Sequence, residues 1–234
     1  MPDGILQGRV AVITGGSRGL GKAMALALAE AGASLALVAR DAEALGAVKT
    51  EALACGAGAA ECYRIDVTDE QQVRQLEREV IARFGAVHIL INNAGINIRK
   101  PMADLLEEDW DAVMDVSVKG SFLCSQRFMP AMVERGWGRV VNVTSGIADQ
   151  PELIAYAISK AAVDKFVYDT VGKLEGTGVL MNLLDPGWLR TDLGGPNAPN
   201  SVESVLPGAL MPVLIDDKTT GTLFRAQDYA GTEL

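Results

Sequence analysis

Histidine is nearly missing from this chain: His88 is the only one among 234 residues. That excludes a zinc site of the H-E-x-x-H kind, and a Ser-His-Asp triad would have to be built on His88. His88 sits in "AVHILINNAG", beside an apolar strand-like run, and reads as a structural residue. Cysteine is also scarce. Cys55, Cys62 and Cys124 form no C-x-x-C pair and have no neighbouring histidine, which fits reduced thiols rather than a disulfide framework or a nucleophile. No cluster of metal-ligating residues is visible, so no metal is expected. Positive charge is in deficit: 21 Lys and Arg against 30 Asp and Glu leave a net −9. Nucleic acid and anionic membranes are therefore poor partners. No apolar run reaches the length of a membrane span. The opening "MPDGILQGRVAVITGG" lacks the basic and apolar regions of a signal peptide. The expected location is cytoplasmic.

What is present is an alternation. Apolar strand-like runs at 9–14, 34–39, 60–66, 87–92, 138–145 and 178–185 are separated by helical stretches at 19–32, 42–56, 69–85, 108–134 and 155–174. The 69–85 segment carries Val73, Leu76, Val80, Ile81 and Phe84 on one helical face. A Gly-, Pro- and Asn-rich stretch at 186–208 reads as a loop with one short helix, and 221–225 as a last strand. Strands joined by helical crossovers imply a parallel sheet. The expectation is one α/β domain over residues 1–234, a Rossmann-type doubly wound parallel sheet with helices on both faces. Such sheets bind ligands beyond the carboxyl ends of their strands.

The first of those ends is "TGGSRGLG", residues 14–21. Gly15, Gly19 and Gly21 let the backbone turn tightly and approach a ligand. The helix that follows offers free N–H groups and a positive dipole end to a phosphate, with Ser17, Arg18 and Leu20 in the turn. The spacing T-G-x-x-x-G-x-G resembles the short-chain dehydrogenase/reductase family, which binds nicotinamide dinucleotides. Further segments carry the resemblance in order: "IDV" (65–67), "NNAG" (92–95), "YAISK" (156–160) and "PGWLRT" (186–191).

The resemblance implies a role for each. Asp66 and Val67 would border the adenine. Asn93, Ala94 and Gly95 would lie against the adenosine ribose. Pro186, Gly187, Leu189 and Thr191 would hold the nicotinamide carboxamide. NAD-binding folds place an acid at the end of the second strand for the ribose 2′-OH; here Ala39 stands there and Arg40 follows. Arg18 and Arg40 could clamp a 2′-phosphate. NADP(H) is the preferred cofactor, with NAD(H) possible.

Tyr156 and Lys160 are four apart, hence stacked on one helix face. A cation beside a phenol favours phenolate. Poising a free tyrosine, pKa about 10, near neutrality needs a shift of about 3 units, which a partly desolvated Lys160 together with a positive nicotinamide ring would supply. The resemblance makes Tyr156 the general acid/base, Lys160 its tuner and ribose ligand, and Ser145, placed at the end of the 138–145 strand, the residue that steadies the substrate oxygen. Ser117 stands where the family commonly has an asparagine that supports a bound water. The interval from Ser145 to Tyr156, 11 positions, is shorter than the family's usual one.

These features imply an NADP(H)-dependent oxidoreductase that interconverts a carbonyl and a secondary alcohol. Within the family the chain resembles carbonyl reductases or 3-oxoacyl-carrier-protein reductases. The competing reading is a dinucleotide-binding regulatory protein with little turnover. Loops near 96–98, 147–153 and 188–201 should border a small-molecule substrate, with Ile147, Leu153, Trp188 and Leu193 as apolar lining. A homodimer or homotetramer, joined through the helices bearing Ser117 and Tyr156, is expected from the family.

Overall fold

A computed structural model describes residues 4–215 and 217–232. Seven strands form one parallel sheet: β1 (Val10–Thr14), β2 (Ser34–Ala39), β3 (Ala60–Arg64), β4 (Ile89–Asn92), β5 (Gly138–Val143), β6 (Val179–Asp185) and β7 (Leu223–Arg225). Their spatial order is β3-β2-β1-β4-β5-β6-β7. The order reverses between β1 and β4, which opens a crevice at their carboxyl ends.

The sheet is buried on both sides: every residue of β1 and of β5 is buried, including Arg139 and Asn142. Successive strand residues point to opposite faces. Ile13 joins the core beneath α1 (Gly19–Glu30) and α2 (Ala42–Ala54), with Met24, Leu28 and Leu45. Val12 joins the opposite core, with Leu76 of α3 (Glu70–Phe84), Phe128 of α5 (Gly120–Arg135) and Val163 of α6 (Ile154–Thr170). Each such fully buried side chain contributes about 1.5–3 kcal/mol. Local signals set the helix ends. The Asp69 carboxylate accepts from the Gln71 and Gln72 N–H groups at 2.8 and 3.2 Å, capping α3. Gly85, at φ 77°, ends it.

The single helix expected over 108–134 is in fact α4 (Glu107–Met114), a π-helical turn (Asp115–Lys119) and α5. At the junction a Cβ on Gly120 would lie 2.8 Å from Val67 Cγ2, so glycine lets α5 press against the chain after β3. The Gly120 N–H bonds to the Asp115 carbonyl, five residues back. Every strand but β2 is shorter than expected, β1 and β6 by one residue at the start and β7 by two. β3 stops at Arg64, β4 starts at Ile89, and β5 stops at Val143, so Ser145 lies in the loop beyond β5 rather than ending the strand. α6 stops at Thr170 and passes into a 3₁₀ turn, Val171–Lys173. The 186–208 loop carries one 3₁₀ turn, Glu203–Val205. A second 3₁₀ turn (Gly208–Leu210) and α7 (Met211–Leu214), neither expected, then plug the first core through Leu210 and Val213.

Candidate active site

The turn after β1 and the loop after β4 are stitched together. The Thr14 hydroxyl accepts from the N–H groups of Asn93 (3.0 Å) and Ala94 (3.1 Å) and donates to the Ile91 carbonyl (3.2 Å). The Asn93 amide donates to the carbonyls of Thr14 and Gly15 at 2.9 and 3.2 Å. α1 begins directly over this knot. A Cβ on Gly21 would fall 2.3 Å from the Gly15 oxygen and 2.6 Å from Asn93 Nδ2, so no other residue fits. No side chain caps the N-terminus of α1, and no acid occupies its first turn. Its free N–H groups and dipole are left for an anion. Leu20 is turned into the core, so it can serve a ligand only through its backbone.

The rest of the expected nucleotide surface surrounds this turn. Asp66 accepts from the Thr68 N–H and hydroxyl at 3.0 and 2.9 Å. Val67 is buried beneath it. The 186–191 element, with Pro186, Gly187, Leu189 and Thr191, lies across the glycine turn. A Cβ on Gly19 would meet Thr191 Cγ2 at 3.2 Å. Leu189 packs into the first core.

Arg18 and Arg40 are both exposed at this edge. The Arg18 guanidinium pairs with Asp192 at 2.9 Å, both side chains about three-quarters exposed. That pair joins the glycine turn to the loop after β6, a contact that sequence spacing cannot show. Arg64, at the end of β3, was also missed: its Nε donates to the Arg40 carbonyl at 3.3 Å. Its signal was the β2–β3 register, which sets Ala39 opposite Arg64.

The catalytic candidates meet at the carboxyl ends of β4 to β6. Tyr156 and Lys160 face inward from α6, and both are buried. Lys160 Nζ donates to the Val143 carbonyl at 2.8 Å and lies 5.5 Å from the Tyr156 ring centre. A Cβ on Gly95 would stand 3.6 Å from Lys160 Nζ and 3.8 Å from Ser117 Oγ, which puts Lys160 and Ser117 beside the same backbone. Ser117 lies in the π turn. Its hydroxyl is buried and has no hydrogen-bond partner within the protein, while its carbonyl accepts from the Ser121 hydroxyl at 2.7 Å. An orphaned polar atom beside a buried ammonium marks a place for a water or ligand group.

Burial dominates the electrostatics of both Lys160 and Tyr156. Burial pushes the Lys160 ammonium down to about 8, opposed by the Asp164 carboxylate one turn on. Tyr156 is raised above its ordinary value by burial, opposed by hydrogen bonding from Ser145, with Asp185 adding a smaller upward push. The Lys160 ammonium is directed at the Val143 carbonyl.

Ile96, Ile98, Trp110 and Ile147 pack around Tyr156, with Val113 and Leu153 buried among them. Leu153 is therefore a packing residue rather than open lining. Trp188 is 55% exposed, its indole N–H held by the Gly194 carbonyl at 2.7 Å, and Leu193 is also exposed. His88 lies at the opposite edge of the sheet. Its Nδ1 accepts from the Val10 N–H at 3.1 Å, and burial lowers its pKa. A triad with Ser145 is geometrically excluded. Among the described residues no group of acidic, histidine and cysteine side chains could hold a metal ion. Likewise no helix there is long and apolar enough to cross a membrane.

Comparison with known proteins follows the same outline. The profile of the short chain dehydrogenase family matches residues 9–201. A short chain dehydrogenase of Pseudocercospora fijiensis is 40% identical over 199 residues, covering 83% of this chain and 64% of the fungal protein. A 3-oxoacyl-[acyl-carrier-protein] reductase of Thermotoga maritima is 35% identical over 80% of this chain and 77% of its own length. Among solved structures, a metagenomic short-chain oxidoreductase in complex with NADP superimposes with TM-score 0.73 at 33% identity, covering 77% of this chain and 83% of that one. An NAD+-bound xylitol dehydrogenase superimposes with TM-score 0.85 at 25% identity, covering 94% and 98%.

Proposed function

Because the chain belongs to the short chain dehydrogenase family, we propose that it is an NADP(H)-dependent oxidoreductase interconverting a carbonyl and a secondary alcohol. One observation carries this reading. Ser145, Tyr156 and Lys160 converge at the sheet edge next to an uncapped helix N-terminus built on a glycine cradle. These residues fit a nicotinamide dinucleotide: the cradle excludes side chains, and the α1 amides suit a pyrophosphate. Arg18, Arg40 and Arg64 supply positive charge where an NAD-specific site would carry an acid. The preference for the 2′-phosphate rests on these arginines, with NAD(H) as the lesser cofactor.

The bound cofactor supplies or accepts the hydride. Tyr156, held protonated, gives its proton to the substrate oxygen during reduction and takes one back during oxidation. Ser145 donates to the same oxygen and steadies its developing charge. Lys160 presents its ammonium toward the Gly95 backbone, where it can hold a ribose and resupply the tyrosine. Ser117 supports that resupply through a water. The substrate enters against the apolar wall of Ile96, Ile98 and Ile147, below the Trp188 loop. A regulatory protein without turnover is disfavoured, because Ser145, Tyr156 and Lys160 are all in place.

Two further elements belong to the proposal. One is a cytoplasmic location, in keeping with the acidic net charge. Self-association through α4, α5 and α6 follows from Phe122, 45% exposed beside Met114, Val118 and Phe166 in an apolar groove on that face. The test of function is consumption of NADPH, with NADH in parallel, over a panel of ketones and aldehydes. Turnover favouring NADPH supports the reading. Tight nucleotide binding with no turnover across the panel would overturn it in favour of the regulatory one.

A further inference from the structure

The strand that leads to Ser145 gives out before reaching it. β5 pairs with β6 as far as Val143, opposite Leu184, and the Thr144 N–H then bonds to the Leu184 carbonyl at 2.8 Å. Ser145 lies past that ladder, so other contacts must fix it. Two side chains hold its neighbours. On the far side, Asp185 Oδ2 accepts from the Gly146 N–H at 3.0 Å while its Oδ1 accepts from the Gly187 N–H at 2.9 Å, a bridge between the loops after β5 and β6. On the near side, the buried Thr144 hydroxyl donates to Asp164 Oδ1 at 2.5 Å. The two acids tie Ser145 to different things. Asp185 ends β6, whereas Asp164 stands on α6, the helix that carries Tyr156 and Lys160. Nothing in Y-x-x-x-K calls for an acid four residues further on. We propose that Asp164 is a positioning residue for the reaction: by holding Thr144 it sets the Ser145 hydroxyl beside the Tyr156 phenol, so that both reach one substrate oxygen.

The geometry is a residue-by-residue match. Tyr156, Lys160 and Asp164 follow one another at four-residue intervals and so share one face of α6. Three consecutive residues at the end of β5 meet that face. The Val143 carbonyl takes the Lys160 ammonium at 2.8 Å, the Thr144 hydroxyl takes Asp164, and Ser145 hydrogen-bonds Tyr156. The Thr144 hydroxyl has one proton and two acceptors in reach, the Lys160 carbonyl at 3.4 Å and the Asp164 carboxylate at 2.5 Å. The shorter, charge-assisted contact takes it. Thr144 is β-branched and stiff at χ1, so fixing its hydroxyl also fixes the backbone from which Ser145 projects. Placement matters here because a donor serves a developing charge only where that charge forms, and a small displacement forfeits most of the benefit. Without Asp164, the Thr144 hydroxyl is left with the distant Lys160 carbonyl, and the Ser145 loop is tied to β6 but no longer to the helix of Tyr156.

This inference rests on Ser145 acting as proposed above, and its test tells the two apart. Asp164→Ala and Thr144→Val remove the bond, whereas Asp164→Asn and Thr144→Ser keep a donor and an acceptor in place. Each is assayed for carbonyl reduction at saturating NADPH, alone and combined with Ser145→Ala, whose slow reaction is followed in single turnovers. Thermal melts establish that each variant is folded at the assay temperature, and the near-isosteric Thr144→Val carries the test where Asp164→Ala does not fold. The proposal expects Asp164→Ala and Thr144→Val each to lower kcat about tenfold or more with the KM for NADPH unchanged. The pair together should do no worse than either alone. Asp164→Asn and Thr144→Ser should keep kcat to within about twofold of the unaltered enzyme. In the Ser145→Ala background, removing the bond should cost nothing further. Full kcat in Asp164→Ala and Thr144→Val would overturn the proposal. So would an equal loss with and without Ser145, since the bond would then act on something other than that hydroxyl. If Ser145→Ala itself keeps full turnover, the role of Ser145 is what fails and its positioning fails with it, while the Thr144–Asp164 bond would still show as coupling between the two substitutions in the melts.

Discussion

The two edges of the sheet are built to opposite rules. At the amino edge charged and aromatic groups are packed against one another. The Trp137 ring lies between the Arg9 and Arg139 guanidiniums, whose Cζ atoms are 3.9 and 4.5 Å from its centre, and His88 meets it edge-on. His88 in turn accepts the Val10 N–H. At the carboxyl edge, matching is incomplete. Lys160 is buried with a single carbonyl partner, Ser117 Oγ has none, and Tyr156 has the Ser145 hydroxyl in an otherwise apolar shell. Buried polar groups left short of partners cost stability. Their collection at one edge, where the doubly wound sheet opens its crevice, shows where stability has been given up for chemistry.

The largest effect that sharpens this contrast is at Lys160. Lys160→Met should lower turnover by about a hundredfold or more, as loss of a proton-transfer partner does, yet raise the melting temperature at pH 7. The sign follows from linkage. The native pKa, about 8, lies below the ordinary 10.5, so the unfolded chain binds more protons between those values. The lysine therefore penalises the fold below pH 8 and stops doing so as pH rises toward 10.5. A rise of about 2–4 °C at pH 7 per kcal/mol recovered is the scale, less the part offset by losing the Val143 contact. The gap between variant and wild type should close near pH 10, measured by thermal melts across pH.

A smaller effect is expected at Ser117. Ser117→Asn restores an amide beside Lys160 and should raise kcat a few-fold while leaving the KM for NADPH unchanged. Steady-state kinetics in both nucleotide and carbonyl check this. An unchanged kcat would remove Ser117 from the proton path. The smallest effect belongs to the amino edge. His88→Ala should leave kcat/KM intact and cost about 1 kcal/mol, since it strands the Val10 N–H. Denaturant melts and kinetics on the same sample settle both halves.

How much of this could be read in the chain divides along physical lines. Periodicity and apolar runs reveal burial, so β2 was read to the residue and the crossover helices to within a few residues at their ends. Glycine spacing reveals close backbone approach, and the cradle at Gly15, Gly19 and Gly21 lies where the spacing put it. Ser145 was one strand end out, because "NVTS" continues the strand pattern past the last paired residue. The π turn at Asp115–Lys119 was not read, because one wide turn inside a long helical stretch is too short an interruption to stand out in the apolar pattern. Arg18–Asp192, the Arg40–Arg64 contact and the Asp185 bridge join segments far apart in sequence, and spacing carries no information about such meetings. Around Tyr156, Lys160 was visible four residues on; the apolar shell of Ile96, Trp110 and Val113 was not.

The central claim is that Tyr156 carries the proton. It is tested most directly by Tyr156→Phe, assayed for NADPH oxidation with a carbonyl accepted by the wild type, beside a measurement of NADPH affinity. The account expects turnover to fall by about 10²–10⁴-fold while nucleotide binding is retained. Turnover near the wild-type level with a correctly folded variant would contradict it.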